Sequence, residues 1–333
     1  MEKIILKCEV VTPLFLGNYN GKGVELRVPS IKGVLRFWWR SFHSNLSIGE
    51  MKEKESKIFG GHIGDNSLKS SFSMIIKSNS IETSKKNFPQ EDYMLLSIPN
   101  KRFKLNILEY LAFGLKDFKS KQFREYIKPG SKFNIELYFY NNKVIEEVLI
   151  SFWLLNYFGG LGAKSRNGFG CITINNIDSY IQMDLSKFKK YIQNNKLPSY
   201  TAFSESHWNY YESNNIFNNW YHALAELGKI YRSARLSLDR HYQYKNRKYI
   251  GTPLRGQIHP HGPSKNFLVG NIERHTKPYF LKVRKENNNY KISILSIKSK
   301  YAEGFLSSNN DSIYINVINN MNNNINRFLK KKF

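Results

Sequence analysis

The chain has almost no cysteine. Of its 333 residues only Cys8 and Cys171 carry a thiol, which excludes a disulfide-stapled scaffold and a Cys-rich zinc site. It is also poor in acidic residues. Asp and Glu number 26 against 51 Lys and Arg, a formal net charge of +25. That imbalance points to a polyanionic partner, RNA, DNA or an anionic membrane surface, although an AT-rich coding sequence enriches Lys and Asn as well. Long apolar runs are missing too. The longest, Val148 to Phe158, is about half a membrane span. The opening MEKIILKCEVV interrupts its apolar residues with Glu2, Lys3, Lys7 and Glu9, too much charge for a signal peptide. The expectation is a soluble, reduced, cytoplasmic protein with no membrane role.

What is present is apolar and aromatic. Hydrophobic residues make up 41% and aromatics 15%, with 23 Phe, 21 Tyr and 5 Trp, enough to build sizeable cores and exclude wholesale disorder. The length suggests two domains at roughly 150 residues each. In the first half, residues 3–11 read as a strand, and a helix runs from an N-cap at Ser30 to about Ser44. Residues 71–77 read as a strand, and 78–128 give no clear pattern. Phe133, Ile135, Leu137 and Phe139 alternate with Lys132, Asn134, Glu136 and Tyr138, a half-buried strand. An apolar helix over 144–158, a glycine-rich segment and the short strand CITIN complete the order strand, helix, strand, strand, helix, strand. This is the ferredoxin-like pattern shared with RNA-recognition motifs. It makes the first and last strands neighbours, so Cys8 and Cys171 are expected close together as inert buried thiols.

The polar, Lys-rich stretch 178–198 separates this unit, residues 1–177, from a second, residues 199–333. There the pattern predicts a strand at 200–206, a helix over 216–236, a loop over 250–270, strands near 278–285 and 290–298, and a helix over 311–329. Neither a final strand nor a second glycine-rich loop is visible. The fold class is therefore α+β, two ferredoxin-like domains in tandem with the second degenerate.

Two constellations carry functional information. In ELRVPSIKGVLRFWWR (25–40), helical winding puts Ile31, Leu35, Trp38 and Phe42 on one stripe, which must face a core. Lys32, Arg36, Arg40 and His43 form a neighbouring stripe, approached by Arg27. Gly33 leaves backbone N–H groups open in the first turn, where a helix N-terminus suits a phosphate. The stripe reads either as an RNA contact or as a solvated basic face, while Trp38 reads as core. The second constellation is GGLGAKSRNGFG (159–170). Its glycines, Gly162 and Gly168 among them, permit positive φ and close backbone approach. Lys164 and Arg166 supply charge, and Ser165 and Asn167 supply hydrogen bonds. The segment follows a helix and precedes a strand, which excludes a Walker loop or a dinucleotide-binding turn.

These segments resemble the RAMP proteins of CRISPR systems, whose signature is a glycine-rich loop between the last helix and last strand of a ferredoxin-like domain. TPLFLG (12–17), the helix motif, and EKESKIFGG (53–61) followed by SFSMII resemble the first RAMP subunit of the type III-B (Cmr) effector complex. GTPLRG (251–256) and RHTKPYFLKVRKENNNYKI (274–292) are similar to that family's second domain, more loosely. The resemblance implies a non-catalytic subunit in antiviral defence that contacts guide RNA near its 3′ end and target RNA, beside other RAMP subunits, with no small-molecule substrate. Arg27, Lys32, Gly33, Arg36, Arg40, His43, Gly162, Lys164, Ser165, Arg166, Asn167 and Gly168 are the expected RNA-binding residues.

No cofactor or metal is expected. Of the eight histidines, His43 is the best placed for metal-free RNA cleavage, but one histidine does not align a 2′-OH. His259 and His261 flank a proline without a third ligand at suitable spacing, which reads as a loop. The rival to a binding subunit is a stand-alone CRISPR-processing endoribonuclease of the same superfamily. Such nucleases usually carry the glycine-rich loop after both domains, whereas here it closes the first.

Overall fold

The structure, a computed structural model, describes residues 1–18, 23–98, 101–117, 119–240, 243–257, 263–301 and 308–333. His241, His259 and His261 lie outside the described residues. Two four-stranded antiparallel sheets organise the chain. The first holds β1 (Glu2–Val10), β2 (Phe72–Ser80), β3 (Lys132–Phe139) and β4 (Ile172–Ile174) in the order β4-β1-β3-β2. Phe133, Ile135, Leu137 and Phe139 turn one face inward, as the alternation predicts, and all are inaccessible to solvent. Between β1 and β2 run α1 (Val28–Ser41) and α2 (Ile48–Phe59), and α3 (Ile145–Phe158) joins β3 to β4.

The second sheet holds β5 (Trp208–Glu212), β6 (Tyr279–Glu286), β7 (Asn289–Ile297) and β8 (Lys330–Lys331) in the order β6-β7-β5-β8. In each sheet the chain-order succession across the strands is second, third, first, fourth. Helix α4 (Trp220–Leu236) joins β5 to β6, and α5 (Ser308–Asn326) lies between β7 and β8. The expectation of no final strand is corrected by β8, whose lysines pair with Tyr211 and Glu212. Two exposed lysines carry no strand pattern of their own. The pairing is held by what flanks them, buried Leu329 and half-buried Phe333, whose ring stacks on Trp208 at 6.0 Å.

Other departures have local causes. Residues 200–206 form no strand: the Phe203 amide donates to Ser41 O at 2.7 Å, so the segment closes the end of α1. Residues 250–270 contain a short hairpin, Leu254–Gln257 with Ser264–Phe267. Along 178–198, Phe188 is fully buried against Trp153 of α3 and Phe203. Cys8 faces Ile174 across β1 and β4 and packs in one core, whereas Cys171 packs in the other, its thiol contacting Gly168 O and the Val283 amide. The two thiols are buried and separate, because three residues of register offset puts them on opposite faces of the sheet.

The halves are packed through α3, which explains why that helix is apolar all round. One side covers the first sheet, and the other meets β6 and the aromatic residues Trp208 and Tyr210 of β5. Lys282 of β6 is fully buried at the α3 C-terminus, donating to Gly159 O at 2.8 Å, Ile172 O at 3.2 Å and Leu155 O at 3.4 Å. A cation at the carbonyl end of a helix is favoured by the helix dipole. Burial still pulls this lysine down to about 8.

Candidate nucleic-acid interface

Helix α1 begins at Val28, with Arg27 as an extended N-cap, so Ser30 is not the cap. Pro29 decides this: it lacks an N–H and fits the first turn of a helix, which places the start upstream of Ser30. Ile31, Leu35 and Trp38 are buried as the winding predicts, and Trp39 joins them, its indole N–H donating to Glu147 at 2.6 Å.

The basic stripe is turned onto the protein. Lys32 Nζ donates to Ser70 Oγ at 2.9 Å and lies over the Phe72 ring. Burial, then Arg36, lowers its pKa. Arg36 donates to Glu55 at 2.8 Å and to the carbonyls of Phe59 and Gly60. Arg40 takes both oxygens of the same Glu55, at 3.0 and 2.8 Å. His43 Nδ1 sits 2.8 Å from Trp39 O and Nε2 3.5 Å from Glu147, with the ring stacked on Trp39. Burial lowers its pKa against the opposing pull of those two partners. Four of the expected contacts thus hold α1 against α2, β2 and α3. Arg27 differs: its Nε is buried without a partner.

The glycine-rich loop is sewn to the TPLFLG segment. The Ala163 amide donates to Phe15 O at 2.8 Å, the Gly170 amide to Pro13 O at 2.9 Å, and Thr12 Oγ1 to Gly168 O at 2.8 Å. A β-carbon at Gly162, where φ is +76°, would sit 2.2 Å from Phe15 O, and one at Gly168, where φ is +86°, 2.5 Å from Leu224 Cδ1. The close approach these glycines allow is to the chain itself.

The tip of the loop docks on the second half. Arg166 O accepts from the Leu281 amide at 3.2 Å, its guanidinium donates to Lys277 O at 2.5 Å, and it lies 4.3 Å over the Phe280 ring. Burial brings its pKa down to about 10. Asn167 Nδ2 donates to Leu111 O at 2.7 Å. Among the described residues, Lys164 Nζ and Ser165 Oγ have no hydrogen-bond or ion-pair partner within the chain. Lys164 is held at φ +60°, and burial lowers its pKa.

The two constellations do meet, at one cleft. Gly33 and Phe37 of α1, Gly160, Ser165 and Arg166 of the loop, and Phe280 of β6 line a recess of about 190 Å³. Gly33 has nothing within 4 Å of where a β-carbon would lie, so its turn of the helix is open. Sequence reasoning missed the cations supplied by the second half. Lys277 lies near Arg166, Arg235 and Lys164; it is named only by the loosely similar RHTKP segment, and Arg235 by no motif. Among the described residues no group of three or more His, Cys, Asp or Glu could hold a metal, and no helix is long and apolar enough to cross a membrane.

Known proteins share this architecture. Two curated relatives come from Pyrococcus furiosus. The CRISPR system Cmr subunit Cmr1-2 is 25% identical over 193 residues, 52% of this chain and 96% of the relative. Cmr subunit Cmr1-1 is 27% identical over 164 residues, 48% of this chain and 44% of the relative, so the match spans less than half of that protein. The crystal structure of Cmr1 from Pyrococcus furiosus in its apo form superposes with a TM-score of 0.60 at 18% identity, covering 99% of this chain and 98% of that one. A chain of the cryo-EM structure of the type III-B Cmr-beta complex bound to cognate target RNA gives 0.50 at 11% identity, covering 98% and 100%. At such identities the likeness is one of fold. The RAMP superfamily profile matches residues 7–173, from β1 through the glycine-rich loop into β4; with half its length so matched, the chain belongs to the RAMP superfamily.

Proposed function

We propose that the chain is a non-catalytic, RNA-binding subunit of a type III-B CRISPR effector complex, built from two ferredoxin-like domains of which the second is degenerate. In this role it contacts guide RNA near the 3′ end and the facing stretch of target RNA, and it docks beside other RAMP subunits. The relatives named as Cmr subunits support the assignment. So does the shared strand order of the two sheets, which is that of a ferredoxin-like unit. The observation that carries RNA binding is the cleft where the open turn at Gly33 faces Ser165 and Arg166, with unpartnered Lys164 beside it. A net charge of +25 supplies the long-range attraction.

The non-catalytic reading rests on His43. Its two ring nitrogens face Trp39 O and Glu147, its ring is stacked on Trp39, and burial favours the neutral form. A general acid–base needs a free edge toward the 2′-OH or the leaving oxygen.

Salt dependence tests RNA binding. For single-stranded RNA the log of affinity should fall with log salt with a slope of about −0.7 per neutralised phosphate, and Lys164→Ala should make the slope shallower by about 0.7. An affinity independent of salt contradicts phosphate-led binding. Cleavage of a CRISPR repeat RNA at one position by the purified chain without metal would favour the processing-nuclease alternative.

A further inference from the structure

A second, larger cavity also borders the loop tip, at Asn167. It has a volume of about 670 Å³ and is lined by Asn167 of the loop, Tyr110, Tyr231 and Arg235 of α4, Arg255 and Lys277. Among the described residues, no acidic one lines it. Two of its cations each carry a buried nitrogen without a hydrogen-bond partner inside the protein. Lys277 Nζ is shielded from solvent and has no hydrogen-bond partner, only the face of the Tyr231 ring at 4.3 Å. Arg235 Nε is buried and unpaired as well, and its Nη1 reaches Tyr110 OH at a long 3.3 Å.

Buried donors are almost always satisfied, and an unpaired buried charge costs far more than a neutral donor. Here the environment makes matters worse. Burial, followed by Arg166, Arg235 and Lys164, holds Lys277 well below its ordinary pKa. Arg166, Arg235 and Lys164 converge on Lys277, and among the described residues no carboxylate lines the cavity to offset them. An oxyanion with several acceptor oxygens removes the deficit in one step. Such an ion would accept from Lys277 Nζ and the Arg235 fork and would meet exposed Arg255 at the rim. The remaining wall is aromatic. Tyr110 lines the cavity, and Phe113, 65% exposed, stands at its edge, an arrangement suited to stacking a base next to a bound phosphate.

We propose that this cavity is a phosphate-binding site that takes the phosphate group of a nucleotide unit, with Lys277, Arg235 and Arg255 as its ligands. The phosphate group can come from an RNA strand or from a free nucleotide. Only the first source rests on the function proposed above.

Thermal unfolding of the full chain in inorganic phosphate, against chloride at matched ionic strength, tests the site. The midpoint of the unsubstituted protein should rise with the logarithm of phosphate concentration once the site saturates. Lys277→Met removes a buried charge but leaves the backbone carbonyl that Arg166 uses. It should unfold at a higher midpoint without phosphate and lose the phosphate response. Arg255→Ala alters an exposed side chain, should fold normally, and should need about tenfold more phosphate for the same effect. Equal phosphate responses in all three proteins would reflect general salt exclusion and overturn the proposal, as would no response in the unsubstituted chain.

Competition identifies the source. Preference for an oligoribonucleotide with a terminal phosphate over its unphosphorylated twin assigns a strand end. Equal affinities that both fall in Lys277→Met assign an internal phosphodiester. Displacement by adenosine monophosphate alone assigns a free nucleotide. A phosphate response without any RNA binding defeats the RNA-binding subunit and leaves the site standing, whereas salt-dependent RNA binding with no phosphate response in the unsubstituted chain does the reverse.

Discussion

Glu55 decides what the basic stripe of α1 does. One carboxylate, 11% exposed, receives Arg36 and Arg40 together, so these arginines fasten α2 to α1. A stripe that only contacted RNA or solvent would leave stability unchanged when both were replaced. With the pairing known, Arg36→Ala with Arg40→Ala should lower the thermal midpoint, costing about 1–3 kcal/mol for charge-assisted hydrogen bonds that also leave Glu55 unpartnered. An unchanged midpoint in a denaturation scan would contradict the clamp. The stripe's spacing was legible, and so was the burial of Trp38. The partner was not, since Glu55 lies on a different helix and nothing local marks the pairing. Glu136 offers a second residue-level test. Tyr138 first, then Lys77 and, after an opposing effect of burial, Lys3 bring its carboxyl from 4.5 to about 2. A folded-state value below the unfolded one contributes stability that is present above pH 4.5 and lost as pH falls through about 2. Between those limits the unsubstituted protein should therefore lose stability more steeply than Glu136→Gln, as followed by urea titration at stepped pH. Parallel losses would mean that the ion pairs with Lys3 and Lys77 contribute nothing.

At the scale of elements, the loop of residues 159–170 shows how far composition can be read. Its position between helix and strand was legible, and so was its need for positive φ. What the glycines approach was not, because Phe15, Leu224 and Leu161 are brought there by the fold. The loop is thus a joint as well as a surface, with its glycines facing inward and Lys164 and Ser165 left over. Gly168→Val forces a β-branched residue to φ +86° against Leu224 and Leu281. It should destabilise the chain by several kcal/mol, a loss of folding visible by circular dichroism before any RNA is added. A normally stable Gly168→Val would return the glycines to a ligand role. Helix α1 gives the matching test of the core. Trp38 is 1% exposed and packs on Phe158 and Phe280, and Trp38→Ala should cost about 3–5 kcal/mol. A cost under 1 kcal/mol would mean that the helix is not anchored there.

For the whole molecule, two sheets with one strand order are joined through α3, Lys282 and the loop tip, and the cleft at Gly33 takes side chains from both halves. The first half was legible because its alternation and apolar helix are strong local signals. The second was harder. Its last strand is two lysines held by neighbours, and its cations at Arg235 and Lys277 are dispersed over forty residues that only folding brings together. Photocrosslinking of the assembled complex, isolated through a tag on this chain and mapped by mass spectrometry, tests the central claim most directly. The account predicts crosslinks to guide or target RNA at Lys164, Ser165 and the first turns of α1 around Gly33. Crosslinks from those residues to protein subunits alone, with none to RNA, would contradict it.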